Sequence, residues 1–147
     1  MAGPLSGIKL VEFAGIGPGP FCGMILADLG AEIIRIDRAS QHGQGNTIDF
    51  QHRSKSSLSA DLKNPKTIEE IKKLLASVDG LIEGFRPGVM ERLGLGKEEC
   101  LKINSNLVYG RRTGWGQDGP LAKTAGHDIN YIALTGALEL MGRKDET

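Results

Sequence analysis

The chain has 147 residues, which is enough for one compact domain with a single core. Its 18 basic and 18 acidic residues balance, so no net field draws it to nucleic acid or to an anionic membrane, although a local basic cluster can still bind a small anion. Glycine, at 21 residues, is about twice as frequent as usual, and it falls at the ends of predicted elements, which indicates tight strand-to-helix turns.

The two cysteines and the N-terminus indicate a reducing compartment. Cys22 and Cys100 lie in helical patterns and are typical of buried or half-buried free thiols, so neither a disulfide nor a metal site is expected. The N-terminus lacks the basic, apolar and cleavage-site order of a secretory signal, and no apolar run approaches the length of a membrane span. We therefore expect a cytoplasmic protein, with import into an organelle left open.

The first part of the chain predicts a βαβ unit. Residues 8–13 have the composition of a strand, residues 14–20 form a glycine-proline turn, and residues 21–29 form a largely apolar helix that ends at Gly30. Residues 32–37 follow as a second strand. Such a unit is parallel and right-handed.

The turn after the first strand does not have the spacing of a dinucleotide-binding loop. Counted from Gly15, the third glycine of G-x-G-x-x-G falls on Pro20, and the count from the next glycine also fails. Pro18 and Pro20 remove two backbone donors that a pyrophosphate would need. Asp37 lies where an acid that binds ribose is expected, but we favour a strand-end cap over NAD binding.

Residues 39–56 are polar and predict a surface loop that contains His42 and His52. Without further ligands at suitable spacing, solvated histidines are favoured over a metal site. Several basic residues surround this segment, namely Arg35, Arg38, Arg53, Lys55 and Lys63. A solvated charged loop and an anion pocket for a phosphate-bearing ligand agree equally well with this spacing, and both stay open at this point.

A helix with clear end signals follows. Asn64 is a typical N-cap, Pro65 fits the first helical position, and the helix runs through residue 75. Four apolar residues share one face of it: Ile68, Ile71, Leu74 and Leu75. Glu69 and Lys73 have the i, i+4 spacing of an ion pair.

The remaining elements continue an alternating pattern. Strands are predicted over 57–62, 80–84 and 106–110, and short helices over 89–93 and 97–103. This alternation predicts an α/β, doubly wound, mostly parallel sheet. Ligands of such sheets bind beyond the carboxyl ends of the strands. Three turns are therefore expected to face one crevice: Asp37-Arg38, Gly84-Phe85-Arg86 and Thr113-Gly114-Trp115.

Residues 113–131 hold four glycines around the only tryptophan, Trp115, and then a His127-Asp128 pair at the start of an apolar helical pattern. A loop so rich in glycine loses chain entropy when it orders, so some group should require its shape. The pKa of histidine lies near neutrality, which suits His127 to proton transfer. Considered alone, however, His127 is favoured as a structural capping residue.

Six segments of the sequence form a recognisable set, although each is weak alone. They are GIGPGP (15–20), RIDR (35–38), ADLK (60–63), RPGVMERLGLG (86–96), TGWGQ (113–117) and AGHDINY (125–131). Together they resemble the CaiB/BaiF family, the family III coenzyme A transferases, and most closely its racemase branch. The resemblance covers nearly the whole chain.

The resemblance implies a Rossmann-like domain that binds coenzyme A, in a homodimer whose two chains interlock. The family's residues at the nucleotide end of coenzyme A match Arg38, Ala60, Lys63, Arg86 and Arg92, and those beside the thioester match His127, Asp128 and Tyr131. These matches favour the anion pocket. The ligand they imply is an acyl-CoA substrate, with no cofactor beyond its coenzyme A moiety and no metal.

The racemases of this family epimerise 2-methylacyl-CoA thioesters, compounds of fatty acid metabolism, by removing and returning the α-proton through an enolate. Two acid/base groups should flank the α-carbon, and with the family motif around it His127 becomes the preferred first group. Asp128 follows His127 directly, so it is not expected to oppose that residue across a substrate carbon.

The resemblance also has departures. The racemases place their partner Asp in a glycine-rich segment beyond the histidine motif, and we expect this chain, which ends at Thr147, to lack that residue together with the small domain and the C-terminal part. Gly110-Arg111-Arg112 is more basic than the family's usual strand end. The alternatives are a family III CoA-transferase with a carboxylate nucleophile and a non-catalytic module that binds coenzyme A.

Overall fold

The computed structural model describes residues 3–39 and 49–141, and the chain divides into two compact units, Met1–Arg112 and Thr113–Thr147. The described part of the first unit contains β1 (Lys9–Phe13), α1 (Pro18–Asp28), β2 (Glu32–Arg38), a 3₁₀ turn (Phe50–His52), β3 (Lys55–Ala60), α2 (Pro65–Leu75), β4 (Gly80–Glu83), α3 (Val89–Arg92), α4 (Lys97–Ile103) and β5 (Val108–Arg111). The second contains α5 (Asp128–Leu134) and a 3₁₀ segment (Ala137–Met141).

The five strands form one sheet in the order β3-β2-β1-β4-β5, and every neighbouring pair is parallel. The prediction of an α/β, Rossmann-like doubly wound sheet is therefore confirmed. The chain moves outward from β1 through β2 to β3 and then returns to place β4 on the other side of β1. The strand order reverses between β1 and β4, at the switch point where ligands bind in such sheets.

The strands bury side chains on both faces of the sheet. The larger core includes Val11 and Phe13 from β1, Ile71 and Leu75 from α2, and Cys100 from α4. A smaller cluster of Ala27, Ala31 and Ile33 lies on the α1 side. Helices thus cover both faces, as a sheet of parallel strands requires.

A buried ion pair lies between the sheet and α1. Glu12 and Lys55 have side chains that are 0% and 1% exposed, and Lys55 Nζ lies 2.6 Å from Glu12 Oε2. Because β2 separates β1 from β3, the lysine crosses β2 to reach the carboxylate, and it also donates to Pro20 O at 2.8 Å. Gly23 of α1 lies directly over this pair, since a Cβ there would stand 1.8 Å from Glu12 Oε2.

Several predicted element boundaries shift in the structure. Helix α1 begins at Pro18, inside the stretch predicted as a turn, because Gly17 at φ 71° turns the chain and proline fits a first helical turn. Strand β3 begins at Lys55, two residues early, because Lys55 pairs in register with Ile33. Strand β5 begins at Val108, whose N–H donates to Asp79 O at 2.9 Å.

The structure confirms the predicted bounds of α2 but not its predicted ion pair. Asn64 Oδ1 accepts from Lys66 N–H at 3.0 Å, as an N-cap does. The predicted i, i+4 pair is wrong, because two adjacent acids followed by two adjacent lysines form i, i+3 pairs here. These are Glu69 with Lys72 at 2.9 Å and Glu70 with Lys73 at 2.8 Å.

Both cysteines are free thiols, as predicted, although Cys22 is exposed rather than half-buried. Burial raises the pKa of Cys100 to about 11, so this thiol stays protonated near neutral pH. His52 pairs with Asp49, with 3.3 Å between Nε2 and Oδ2, while His42 lies outside the described residues. No helix in the described part of the chain is long and apolar enough to cross a membrane.

We predict that Gly23→Ala lowers the free energy of unfolding by about 1–3 kcal/mol, as overpacking does, because the new methyl group would displace the carboxylate of the buried pair. Gly19→Ala in the same helix is the matched control, since a Cβ there meets no atom within 4 Å. Urea unfolding of both variants tests this. Equal stability of the two variants would show that α1 does not press on Glu12.

Candidate functional site

Two of the site residues predicted from the sequence end neighbouring strands. Arg38 is the last residue of β2 and is exposed, and its register partner is Ala60, the last residue of β3, which is 6% exposed. Lys63 follows in a turn that is closed by its own N–H, which donates to Asp61 Oδ1 at 3.0 Å. Two cationic side chains therefore follow two adjacent strands at one edge of the sheet.

The turn after β4 is held by a buried acid. Glu83 is 2% exposed, and its Oε2 accepts the N–H of Phe85 at 2.8 Å. The Phe85 ring packs edge-to-face on Phe13, with 5.9 Å between centroids. The next residue, Arg86, is exposed at the carboxyl end of β4. The acid and the ring together fix the position from which Arg86 extends.

Arg111, the first of the two arginines at the end of β5, has acidic partners on β4 and α3. Its Nε donates to Glu83 Oε1 at 2.6 Å and its Nη2 to Glu91 Oε1 at 2.7 Å. The same guanidinium lies 5.2 Å from the ring centroid of Tyr109. Burial raises the pKa of Glu83, while the Phe85 N–H and Arg111 act to lower it. Arg111 thus compensates a buried charge and links β4 and β5 to α3.

Arg92 is the exposed last residue of α3, next to Glu91. Its Nη1 would be 3.2 Å from a Cβ at Gly88, a residue at φ +82° that begins the helix. A side chain at Gly88 would be strained by its backbone and would crowd this guanidinium.

Because the strands are parallel, Arg38, Ala60 and Arg86 share one edge, and Lys63 follows from the end of β3.

The Asp37 carboxylate has two partners within the sheet. It forms an ion pair with Arg35 at 2.6 Å and accepts from Ser57 Oγ at 2.8 Å. These contacts favour the strand-end role predicted for it over contact with a ribose. Among residues 3–39 and 49–141, no group of three His, Cys, Asp or Glu side chains has the arrangement of a metal site.

The second unit shows what requires the glycine-rich loop. The rings of Trp115 and Tyr131 pack edge-to-face with 4.8 Å between centroids, and Trp115 Nε1 donates to Ala125 O at 3.0 Å. A Cβ at Gly114 would lie 2.7 Å from Tyr131 Oη, and one at Gly126 would lie 2.5 Å from it. Only glycine lets the backbone approach the tyrosine hydroxyl this closely.

His127 is the N-cap residue of α5, and Asp128 is the first residue of that helix. The His127 N–H donates to Asn130 Oδ1 at 2.9 Å, which is half of a capping box. Both His127 and Asp128 are exposed, and Tyr131 is half-buried one helical turn further on. His127 therefore occupies the cap position that the capping interpretation predicts. Its role in proton transfer stays a prediction.

Sequence reasoning missed the two buried acids, Glu12 and Glu83, as supports of the turns beyond their strands. The available signal was an ionisable residue inside an otherwise apolar strand. The sequence pattern also did not explain Arg111 and Arg112. The carboxylate partners of Arg111 lie 20 and 28 residues away along the chain.

Comparison with known proteins agrees with this fold. The family model for CoA-transferase family III matches residues 5–147. The α-methylacyl-CoA racemase of Mus musculus is 48% identical over 97% of this chain and 36% of its own length, and the succinyl-CoA:glutarate CoA-transferase of Homo sapiens is 33% identical over 95% and 34%. A crystal structure of a CAIB/BAIF family protein from Brucella suis has a TM-score of 0.88 at 32% identity, covering 99% of this chain and 43% of that one.

We predict that Arg111→Met lowers the free energy of unfolding at pH 7.5 by about 3–5 kcal/mol, the usual cost of stranding a buried charge. Burial places the folded-state pKa of Glu83 above the unfolded value, and loss of Arg111 raises it further. A raised carboxyl pKa favours the folded state at low pH and loses that contribution as pH rises through it. The deficit relative to the original chain should therefore shrink toward pH 5.

Urea unfolding between pH 5 and pH 8 measures this deficit. Lys102→Met is the matched control, because it breaks an exposed pair with Glu99 and should change stability by no more than about 1 kcal/mol. The double variant Glu83→Gln/Arg111→Met should lose the pH dependence. A deficit that is constant across this range would contradict the proposed state of Glu83.

Proposed function

Because this chain belongs to CoA-transferase family III, we propose that it is the coenzyme-A-binding part of an α-methylacyl-CoA racemase, an isomerase that epimerises 2-methylacyl-CoA thioesters. The observation that carries the proposal is the identity to the mouse racemase over nearly the whole chain. The chain spans about a third of that relative, as the 36% coverage states, so the activity of a whole protein is part of the proposal.

The carboxyl edge of the sheet supplies suitable chemistry for the nucleotide end of coenzyme A. We assign its phosphates to Arg38, Lys63, Arg86 and Arg92, since guanidinium groups bind phosphate bidentately and an ammonium binds it as a point charge. Ala60 is the residue that brings the backbone of β3 close to the ligand, because it has only a methyl group beside Arg38. The buried acid Glu83 supports this set by fixing the turn before Arg86.

We assign the thioester end to His127, Asp128 and Tyr131. An imidazole can take a proton from the α-carbon and return it, and inversion needs a second acid/base group on the opposite face. Removal of the α-proton alone needs only one group and an environment that stabilises the enolate. His127 is therefore proposed as one proton-transfer residue, and hydrogen exchange at the α-carbon is the partial reaction it should support.

A CoA-transferase is the second candidate, and the observation in its favour is the 33% identity to the human succinyl-CoA:glutarate CoA-transferase. That reaction requires a carboxylate that accepts the acyl group, and we assign none among the described residues. A module that binds coenzyme A without catalysis is the third candidate. Acyl-CoA as ligand, a second copy of the chain as partner and a cytoplasmic location complete the proposal.

We predict that Lys63→Met weakens coenzyme A binding about tenfold, as loss of one charge-assisted contact does. Lys73→Met removes the same charge from the exposed far end of α2 and is the matched control. Isothermal titration at two salt concentrations measures both variants, and the salt dependence of affinity should fall only for Lys63→Met. Equal affinities of the two variants would remove Lys63 from the phosphate site.

We predict that the chain exchanges the α-proton of 2-methylacyl-CoA in deuterated water, and that His127→Ala slows this exchange by about 10²–10⁴-fold, the usual contribution of a general base. His52→Gln is the matched control, since His52 pairs with Asp49 in the first unit. Proton NMR follows the exchange, and titration checks that both variants still bind coenzyme A. Binding without exchange that depends on His127 would contradict the racemase proposal and leave the CoA-transferase and the non-catalytic module as candidates.

A further inference from the structure

Arg112 continues the sheet one residue past β5. Its N–H donates to Glu83 O at 2.9 Å, so its backbone still follows the β4 edge. Because side chains alternate along an extended strand, Arg112 lies on the opposite face from Arg111. Arg111 contacts Glu83 on the face of the larger core, and Arg112 is therefore on the α1 side.

The Arg112 side chain spans the switch point of the sheet. Its Cδ and Nη1 lie 3.7 and 3.8 Å from where a Cβ at Gly84 would stand, and its Nη2 lies 3.3 Å from one at Gly17. Gly84 directly follows β4, and Gly17 lies between β1 and α1. The guanidinium thus reaches from β5 across the end of β4 to the loop after β1, where ligands of doubly wound sheets bind.

Arg112 differs from three other arginines of this unit in its charge environment. Arg35 pairs with Asp37, Arg53 with Asp28, and Arg111 with Glu83 and Glu91. Arg112 is half-buried, and within residues 3–39 and 49–141 no carboxylate forms an ion pair with it. A guanidinium that is partly removed from water without a counterion favours an anionic ligand.

The first turn of α1 offers few backbone donors to an anion, in contrast to Arg112. In many sheets of this type the first helix binds an anion with its N-terminal amides. Here Pro18 and Pro20 occupy the first turn and have no N–H, and Phe21 N–H already donates to Gly17 O at 3.2 Å. Among the described residues of this first turn, only Gly19 keeps an N–H without a hydrogen-bond partner, so the charged donor at the switch point is Arg112.

We propose that Arg112 binds an oxyanion of the acyl-CoA at the switch point, either a carboxylate carried by the acyl chain or a phosphate of coenzyme A. The inference rests on the proposed function for the identity of the ligand as a thioester of coenzyme A. If the oxyanion is a carboxylate, the chain selects thioesters of dicarboxylic acids over those of monocarboxylic acids.

The test is isothermal titration of coenzyme A, butyryl-CoA and succinyl-CoA into the full chain and its Arg112→Met and Arg112→Lys variants. Lys9→Met is the matched control, because it removes the same charge at the amino end of the central strand β1, where Lys9 forms an exposed pair with Glu32. A loss of about tenfold or more in Arg112→Met, the usual size for a charge-assisted contact, supports the proposal. A loss no larger than that of Lys9→Met for all three ligands overturns it.

The pattern of losses identifies the source of the oxyanion. A loss confined to succinyl-CoA assigns the acyl carboxylate, and an equal loss for all three ligands assigns a phosphate. Arg112→Lys should retain part of the affinity, because the charge remains while the bidentate geometry is lost.

A second measurement separates this inference from the proposed function. The Nε–H signal of Arg112 in a nitrogen-15 NMR spectrum, assigned by its disappearance in Arg112→Lys, is followed while inorganic pyrophosphate or succinate is added. If no thioester binds, the proposed function fails, and a saturable shift of this signal still supports an oxyanion site. A signal that neither anion moves overturns the inference whether or not coenzyme A binds.

Discussion

The ion pair between Glu12 and Lys55 is the constraint on which the first unit depends. Two fully buried charges are costly to remove from water, so each must keep its partner. Lys55 meets this requirement from a strand that is not adjacent to β1, and it also binds the Pro20 carbonyl. The pair therefore ties the side chains of β1 and β3 together across β2 and connects them to the first turn of α1. Gly23 is required because α1 passes directly over the carboxylate.

The other face of the sheet repeats this arrangement with different residues. Glu83 at the end of β4 is buried, is compensated by Arg111, and holds the next turn through Phe85 N–H. Glu12 acts on its turn indirectly, through Lys55 and the Pro20 carbonyl. The two loops that flank the switch point are thus each held by a buried acid, one on each face. Buried ion pairs of this kind contribute little net stability, but the loss of one partner is costly because it leaves the other charge buried and unpaired.

Much of this fold could be predicted because its signals are local. Asn64 and Pro65 mark the start of α2 within two residues, and the alternation of strands and helices determines a parallel sheet. The start of α1 was missed because prolines are as typical of turns as of first helical turns. The partners of the buried acids left no local signal, since Lys55 lies 43 residues from Glu12. The shape of the glycine-rich loop likewise depends on Tyr131, which packs on Trp115 from sixteen positions further along.

A net charge of zero conceals how the charges are distributed. Arginines within the sheet are compensated by acids, as Arg35 is by Asp37 and Arg111 is by Glu83. At the carboxyl edge, Arg38 and Arg112 form no ion pair with any residue that the structure describes. Two cations without an ion-pair partner among the described residues therefore lie where β2 and β5 end, and the field of such a charge acts over about one Debye length, roughly 10 Å. A small anionic ligand within that distance is attracted by a local charge, although the zero net charge of the molecule attracts no polyanion. Composition therefore argues against nucleic acid and still leaves open a phosphate-bearing ligand.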